Sequence, residues 1–129
     1  MAKPENCRYT KSHEWVALEG TTGTVGLSDH AQKEITDVVF VDLPKVGRKV
    51  AKGEAVAVVE SVKAAFDIYA PVSGEVVEAN GEVTQNPAVV NQDSHGKGWF
   101  FRVKASDPKE ADSLMDWAQY QDFLKTAVH

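Results

Sequence analysis

The sequence predicts a mainly β fold, a pseudo-symmetric barrel-sandwich that closes on itself, with short helices and one helix at the C-terminus. Three observations carry this. Short Val-rich and aromatic runs broken by Gly and Pro dominate the middle of the chain. A Gly-x-x-Val…Gly-Glu-(x)-Val pattern occurs twice, at Gly47 to Val56 and at Gly74 to Val83. Two copies are too few for a solenoid, and they suggest two similar β units that hide each other's edges. An apolar stripe at near-helical spacing marks the C-terminal segment, which the bland reading docks on the β core.

Taken in order, Glu14 to Leu18 and Thr22 to Leu27 read as a hairpin through Glu19-Gly20. Ser28 is placed to cap a short helix through Ile35, with Asp29 favourable in its first turn. Val38 to Val41 is a strand that Pro44 closes, and Ala55 to Glu60 is another. Phe66 to Ala70 alternates, with Phe66, Ile68 and Ala70 on one face and Asp67 and Tyr69 on the other. Gly74 to Glu78 and Trp99 to Val103 complete the strands. Asn86-Pro87 reads as the cap and first residue of a single helical turn. In the last helix, about 113–126, Ser113 is the expected cap with Asp116 three residues on, and Leu114, Trp117, Leu124 and Val128 form the stripe.

The 129 residues are expected to form a single domain, 1–129, with the barrel-like core about 37–104. Fourteen Lys and Arg against nineteen Asp and Glu give a net charge of −5. That balance repels phosphate backbones and anionic headgroups, which argues against nucleic-acid and membrane partners. Cys7 is alone, so no internal disulfide forms, and the four histidines never fall at a metal-ligand spacing, so no metal site is expected. Residues 1–10 lack the apolar core of a signal peptide and the Arg-rich character of a presequence. The expected location is the bacterial cytoplasm. No nucleophile with its base and no phosphate loop is recognisable, so no catalytic residue is expected.

The chemistry concentrates on the link between the two repeat copies. Glu60-Ser61-Val62-Lys63-Ala64 lies between two strand-like runs and puts Lys63 near a hairpin tip. That tip lacks the Asn-Gly or Gly-rich chemistry of a tight hairpin, and a functional constraint is one explanation. A lysine there offers a long stem ending in an acylatable amine, although an exposed lysine on a turn is ordinarily a solvated charge.

The Gly-x-x-Val, Gly-Glu-x-Val, Lys-tip, Pro-x-x-Gly-x-x-Val order resembles the lipoyl and biotinyl carrier domains. Glu60-Ser61-Val62-Lys63-Ala64 is similar to the pattern of glycine cleavage H proteins. So are Ser12-His13-Glu14-Trp15-Val16, Gly26 to Gln32, Val38 to Pro44, Ala70 to Glu75 and Gly98-Trp99-Phe100, in family order from about Tyr9 to Leu124. The resemblance implies lipoate attached covalently to Lys63 as N6-lipoyllysine, and a carrier with no turnover of its own; the chain is expected to be a monomer. It implies three enzyme partners. A pyridoxal-phosphate glycine decarboxylase loads an aminomethyl group, a tetrahydrofolate-dependent aminomethyltransferase takes the methylene, and an FAD-containing lipoamide dehydrogenase reoxidises the dithiol. A lipoate ligase or lipoyltransferase makes the attachment.

The resemblance also implies a cleft that shields the loaded arm from water and offers its ammonium acceptors, formed by Ser12, Glu14 and Asp67. On residue type alone, Glu14 and Asp67 are surface charges and Ser12 a turn residue. Ala65, Phe66 and Tyr69 stand where small or polar residues are common in that family, which alters the surface offered to the arm. A second reading is a relay that donates lipoate to 2-oxo acid dehydrogenases. Retained Glu14 and Asp67 favour the aminomethyl carrier, because a relay has no ammonium to hold.

Overall fold

Two antiparallel sheets face each other across a core of valines in the computed structural model, which describes residues 3–126. The strands are β1 (Arg8–Tyr9), β2 (Glu14–Glu19), β3 (Thr22–Leu27), β4 (Val38–Asp42), β5 (Lys49–Val50), β6 (Ala55–Ser61), β7 (Ala65–Tyr69), β8 (Gly74–Ala79) and β9 (Phe101–Ala105). The helices are α1 (Asp29–Ile35), α2 (Gly81–Gln85), α3 (Val89–Gln92) and α4 (Trp117–Thr126), with 3-10 turns at Pro4–Asn6 and Pro108–Ser113. One sheet runs β1-β2-β3-β9-β8-β5 and the other β4-β6-β7. This is the barrel-sandwich with short helices and a C-terminal helix that the strand pattern predicts.

The repeat acquires a spatial meaning. Its two copies lie side by side, Lys49 opposite Glu75 and Val50 opposite Gly74 in the β5–β8 ladder. They are not equivalent, since Val50 is buried whereas Val77 is exposed and Val76 is buried in its place. Gly53 has φ +86, a conformation only glycine adopts without strain, and there the chain turns into β6.

Several expectations need correction. The turn of the first hairpin is Gly20-Thr21, with Gly20 at φ +63, and both Glu19 and Thr22 are paired. The strand expected at Trp99 starts at Phe101. The helix expected from Asn86-Pro87 begins at Val89, while Gly81–Gln85, expected as the end of the second repeat copy, is itself a helix. There the Asn80 side chain accepts from the Glu82 N–H and donates to the carbonyls of Lys97 and Trp99, fixing a cap by tertiary contacts. The C-terminal helix is capped by Asp116, not Ser113. Asp116 accepts from the Gln119 N–H (2.8 Å) and Gln119 accepts from the Asp116 N–H (2.9 Å), a reciprocal box. Ser113 is engaged elsewhere, donating to the Glu110 carbonyl and accepting from the Lys52 ammonium.

Helix α4 docks on a second apolar cluster beside the main core. Tyr120 is buried and stacks on Tyr9 with ring centroids 4.3 Å apart, next to Cys7 and Trp15, and Leu124 packs against the group. Leu114 lies before the helix and Val128 outside the described residues, so the stripe is carried by Tyr120, Phe123 and Leu124. Trp15 donates from Nε1 to the carbonyls of Leu27 and Ser94, so this large ring is buried with its polar atom satisfied.

Candidate functional site

Lys63 stands at the end of the β6–β7 hairpin. The strands pair to Glu60 opposite Ala65, and Val62, Lys63 and Ala64 form the loop between them, with Val62 and Lys63 at its tip. Neither has positive φ, so the loop is built without the mirror-image turn that Asn-Gly supplies. The Ser61 side chain provides the alternative. Its Oγ accepts from the N–H groups of Lys63 (3.1 Å) and Ala64 (3.3 Å), and the Ser61 N–H donates to the Ala64 carbonyl (2.9 Å). A hydroxyl thus replaces a main-chain acceptor at the turn. The Val62 N–H donates to the Asp37 carbonyl (3.0 Å), which pins the tip against the chain entering β4. The exposed Lys63 side chain reaches α1, where Nζ donates to the Glu34 carbonyl at 3.1 Å. That carbonyl lies in the last turn of α1, where the helix presents unsatisfied acceptors and a partial negative charge.

From this point a cleft of about 460 Å³ runs between β7 and α1. Leu27, Ile35, Phe66 and Ile68 give it apolar walls, and Glu34, His30, Asp67 and Ser12 give it polar ones. Strand β7 leads from Ala65 beside the tip to Tyr69, whose N–H donates to Glu14 Oε2 at 3.1 Å. The structure therefore brings Ser12, Glu14 and Asp67 to one side of the molecule, in different states. Ser12 is exposed and donates to Glu14 Oε1 at 2.6 Å. Glu14 is fully buried, and Oε1 also accepts from the Thr10 hydroxyl. Asp67 is exposed on the wall nearer Lys63, the outward position the alternation predicts.

Glu14 is the surprise. Its carboxyl is filled by three donors of the chain itself, from Thr10, Ser12 and Tyr69. It stitches the turn before β2 to the edge strand β7, and Ser12 stands between it and the cleft.

Sequence reasoning missed the α1 wall, with His30, Glu34 and Ile35. The available signal was the i, i+4 placement of His30 and Glu34, which puts them on one face, 3.6 Å apart. Ala65, Phe66 and Tyr69, the residues that depart from the family pattern, all line the cleft. The cleft walls are fixed from behind by Tyr120. Its hydroxyl meets His13 Nδ1 (2.8 Å) and Ser28 Oγ (2.7 Å), while Ser28 Oγ also accepts from the Ala31 N–H and so caps α1.

The cleft fits a lipoyl arm in kind. Leu27, Ile35, Phe66 and Ile68 give it an apolar lining, the Lys63 amine reaches the Glu34 carbonyl on its wall, and the Ser12 hydroxyl and Asp67 carboxylate also line it. Among the described residues, no group of side chains is arranged to hold a metal ion.

Two sheets closed into a barrel-sandwich, with an exposed lysine on a hairpin tip, define a protein of the lipoyl carrier fold. The comparisons specify which. Residues 7–127 match the family described as "Glycine cleavage H-protein". The chain is 60% identical over 119 residues to the glycine cleavage system H protein of Beijerinckia indica, covering 92% of this chain and 96% of that one. With the glycine cleavage system H protein of Thermus thermophilus it is 54% identical over 126 residues, 98% of each. The crystal structure of a glycine cleavage system H protein from Mycobacterium marinum superposes with a TM-score of 0.88 at 32% identity, covering 95% of this chain and 99% of that one. The chain belongs to the glycine cleavage H-protein family.

Proposed function

We propose that this protein is the lipoylated carrier of a bacterial glycine cleavage system, with the lipoyl group in amide linkage to Lys63 Nζ. It carries the aminomethyl group from a pyridoxal-phosphate glycine decarboxylase to a tetrahydrofolate-dependent aminomethyltransferase, and it is reset by FAD-containing lipoamide dehydrogenase. It acts as one domain and as a monomer in the cytoplasm, and it has no turnover of its own. The observation that carries this reading is the position of one amine, on a stiffened tip at the mouth of an apolar cleft.

When attached, the lipoyl group supplies a redox-active disulfide at the end of a long arm. The chain's own residues do the rest. The hairpin holds Lys63 clear of both sheets so that a modifying enzyme can reach the amine. The walls formed by Leu27, Ile35, Phe66 and Ile68 exclude water from the arm between encounters. Asp67 and Ser12 offer acceptors for an ammonium at the arm's end. Glu14 contributes chiefly by orienting Ser12 and by holding β7 in place, with its own carboxyl available only when Ser12 or Thr10 turns away.

The test is intact mass of the protein from cells competent in lipoate attachment, followed by glycine–bicarbonate exchange with the decarboxylase. The expected result is one lipoyl increment, abolished in Lys63→Ala, and exchange that depends on it. An unmodified chain would refute the attachment. A lipoylated chain that supports no exchange would refute the aminomethyl role and favour the relay.

A further inference from the structure

We infer that Val39 and Phe40, presented beside the lysine tip by a bulge in β4, are the docking surface for the enzyme that acylates Lys63. The inference rests on the reading that Lys63 is the acylated residue.

The bulge is the starting point. Along the β4–β6 ladder Val38 faces Ser61 but Phe40 already faces Glu60, so Val39 is one extra residue on the β4 side. A bulge breaks strict alternation and re-aims side chains. Here the result is two adjacent apolar residues that both face solvent, Val39 at 54% and Phe40 at 50% exposure. Val62, at 68%, joins them from the tip, because its N–H is tied to Asp37 just ahead of β4. Glu60 stands opposite Phe40 in the ladder and Asp37 holds the Val62 N–H, and both residues are exposed. An apolar patch flanked by these acidic residues fits a partner with an apolar hollow and a cationic rim.

Reach decides which partner this is. Acylation forms a C–N bond between Nζ and the carbonyl carbon of an activated lipoyl donor such as an acyl adenylate. The bond from that carbon to the activating group breaks and the group leaves with the electron pair, while two protons leave the nitrogen, one to free the amine and one as the amide forms, and go to solvent or the departing phosphate. A lysine has only a four-carbon stem, so the enzyme performing this step must close over the tip and whatever adjoins it. Enzymes that act at the far end of the attached arm need not touch β4 at all.

The experiment uses the full-length apo-protein, lipoyl adenylate and a bacterial lipoate ligase, with acylation followed by intact mass. Val39→Thr/Phe40→Thr keeps strand-forming residues at exposed positions, and Phe40→Leu retains an apolar side chain. For the double variant KM is expected to rise about tenfold with little change in kcat, and Phe40→Leu is expected to recover most of it. Added salt should raise the wild-type KM. Double-variant protein driven to full acylation should be reduced by lipoamide dehydrogenase with NADH, its assay run in reverse, at the wild-type rate. An unchanged KM overturns the inference, and so does an equal defect in the dehydrogenase step. If the wild-type chain itself is not acylated, the attachment at Lys63 has failed instead.

Discussion

Replacing Glu14 by alanine separates a structural carboxyl from one reserved for cargo. The wild-type side chain is fully buried and accepts from the Thr10 and Ser12 hydroxyls and from the Tyr69 N–H. After truncation the two hydroxyls, already 3.2 Å apart, satisfy each other. The Tyr69 N–H keeps no acceptor, which costs about 1–3 kcal/mol, and the void left by the carboxyl adds to that. The expected loss is about 2–4 kcal/mol in urea unfolding followed by tryptophan fluorescence. Glu14→Gln preserves the volume, turning its oxygen to the Tyr69 N–H and its NH₂ group to the hydroxyl oxygens, and should cost about 1 kcal/mol or less. A Glu14→Ala protein as stable as wild type would refute the stitching role and return Glu14 to the cleft as a free acceptor.

Four further outcomes are expected. Lys63→Arg can still donate to the Glu34 carbonyl but stays protonated and unacylated, so it should melt within about 0.5 kcal/mol of wild type and show no lipoyl increment by mass. Gly26→Ala places a methyl 2.6 Å from the buried Trp15 ring, and equilibrium unfolding should show a loss of about 1–3 kcal/mol. Burial, reinforced by the Glu5 carboxylate, pushes the Cys7 thiol from 9.0 to about 12, so above pH 9 the unfolded chain releases a proton that the folded chain keeps. Stability should therefore be intact below pH 9 and fall toward pH 12, and the fall should be shallower in Cys7→Ala. Tyr120→Phe leaves His13 Nδ1 and Ser28 Oγ without their shared hydroxyl, which should cost about 1–2 kcal/mol and accelerate amide exchange in α1.

What the sequence made legible was local and periodic. β7 was readable because Phe66 and Ile68 face inward and Asp67 and Tyr69 outward, and α1 because Ser28 caps it through its own Oγ. The errors fall where distant contacts override local signals. Gly81-Glu82-Val83 repeats Gly53-Glu54-Ala55-Val56 in composition, yet Asn80 is locked by Lys97 and Trp99 and starts a helix there. Ser113 has the chemistry of a cap, but Lys52, sixty-one positions away, engages it. The hairpin tip was legible in position and not in construction, since Ser61 reads as ordinary until its hydroxyl is seen taking two turn amides. For the cleft, Ser12 and Asp67 were found through family resemblance. The opposite wall was not, because nothing local says that Glu34 faces Lys63 across twenty-nine residues.

The arrangement also explains why a carrier needs more than its barrel. The arm-holding cleft has one wall on β7 and another on α1, and these elements share no backbone ladder. Their spacing is set by two devices outside both. Glu14 ties the turn carrying Ser12 to β7 through the Tyr69 N–H. Tyr120, from the C-terminal helix, ties the same turn at His13 to the cap of α1 at Ser28. The Tyr120 hydroxyl is buried, which together with the nearby Glu14 carboxyl pushes its ionisation from 10.0 to about 12 despite the Ser28 hydrogen bond, so it stays protonated. Residues 10–14 are thus a bracket held at both ends, and the cleft width depends on both. A change that loosens α4 should widen the cleft without touching any residue that lines the arm, and a change at Glu14 should do so from the other side. The N-terminal turn and the C-terminal helix, peripheral in the chain, determine how well the centre holds its cargo.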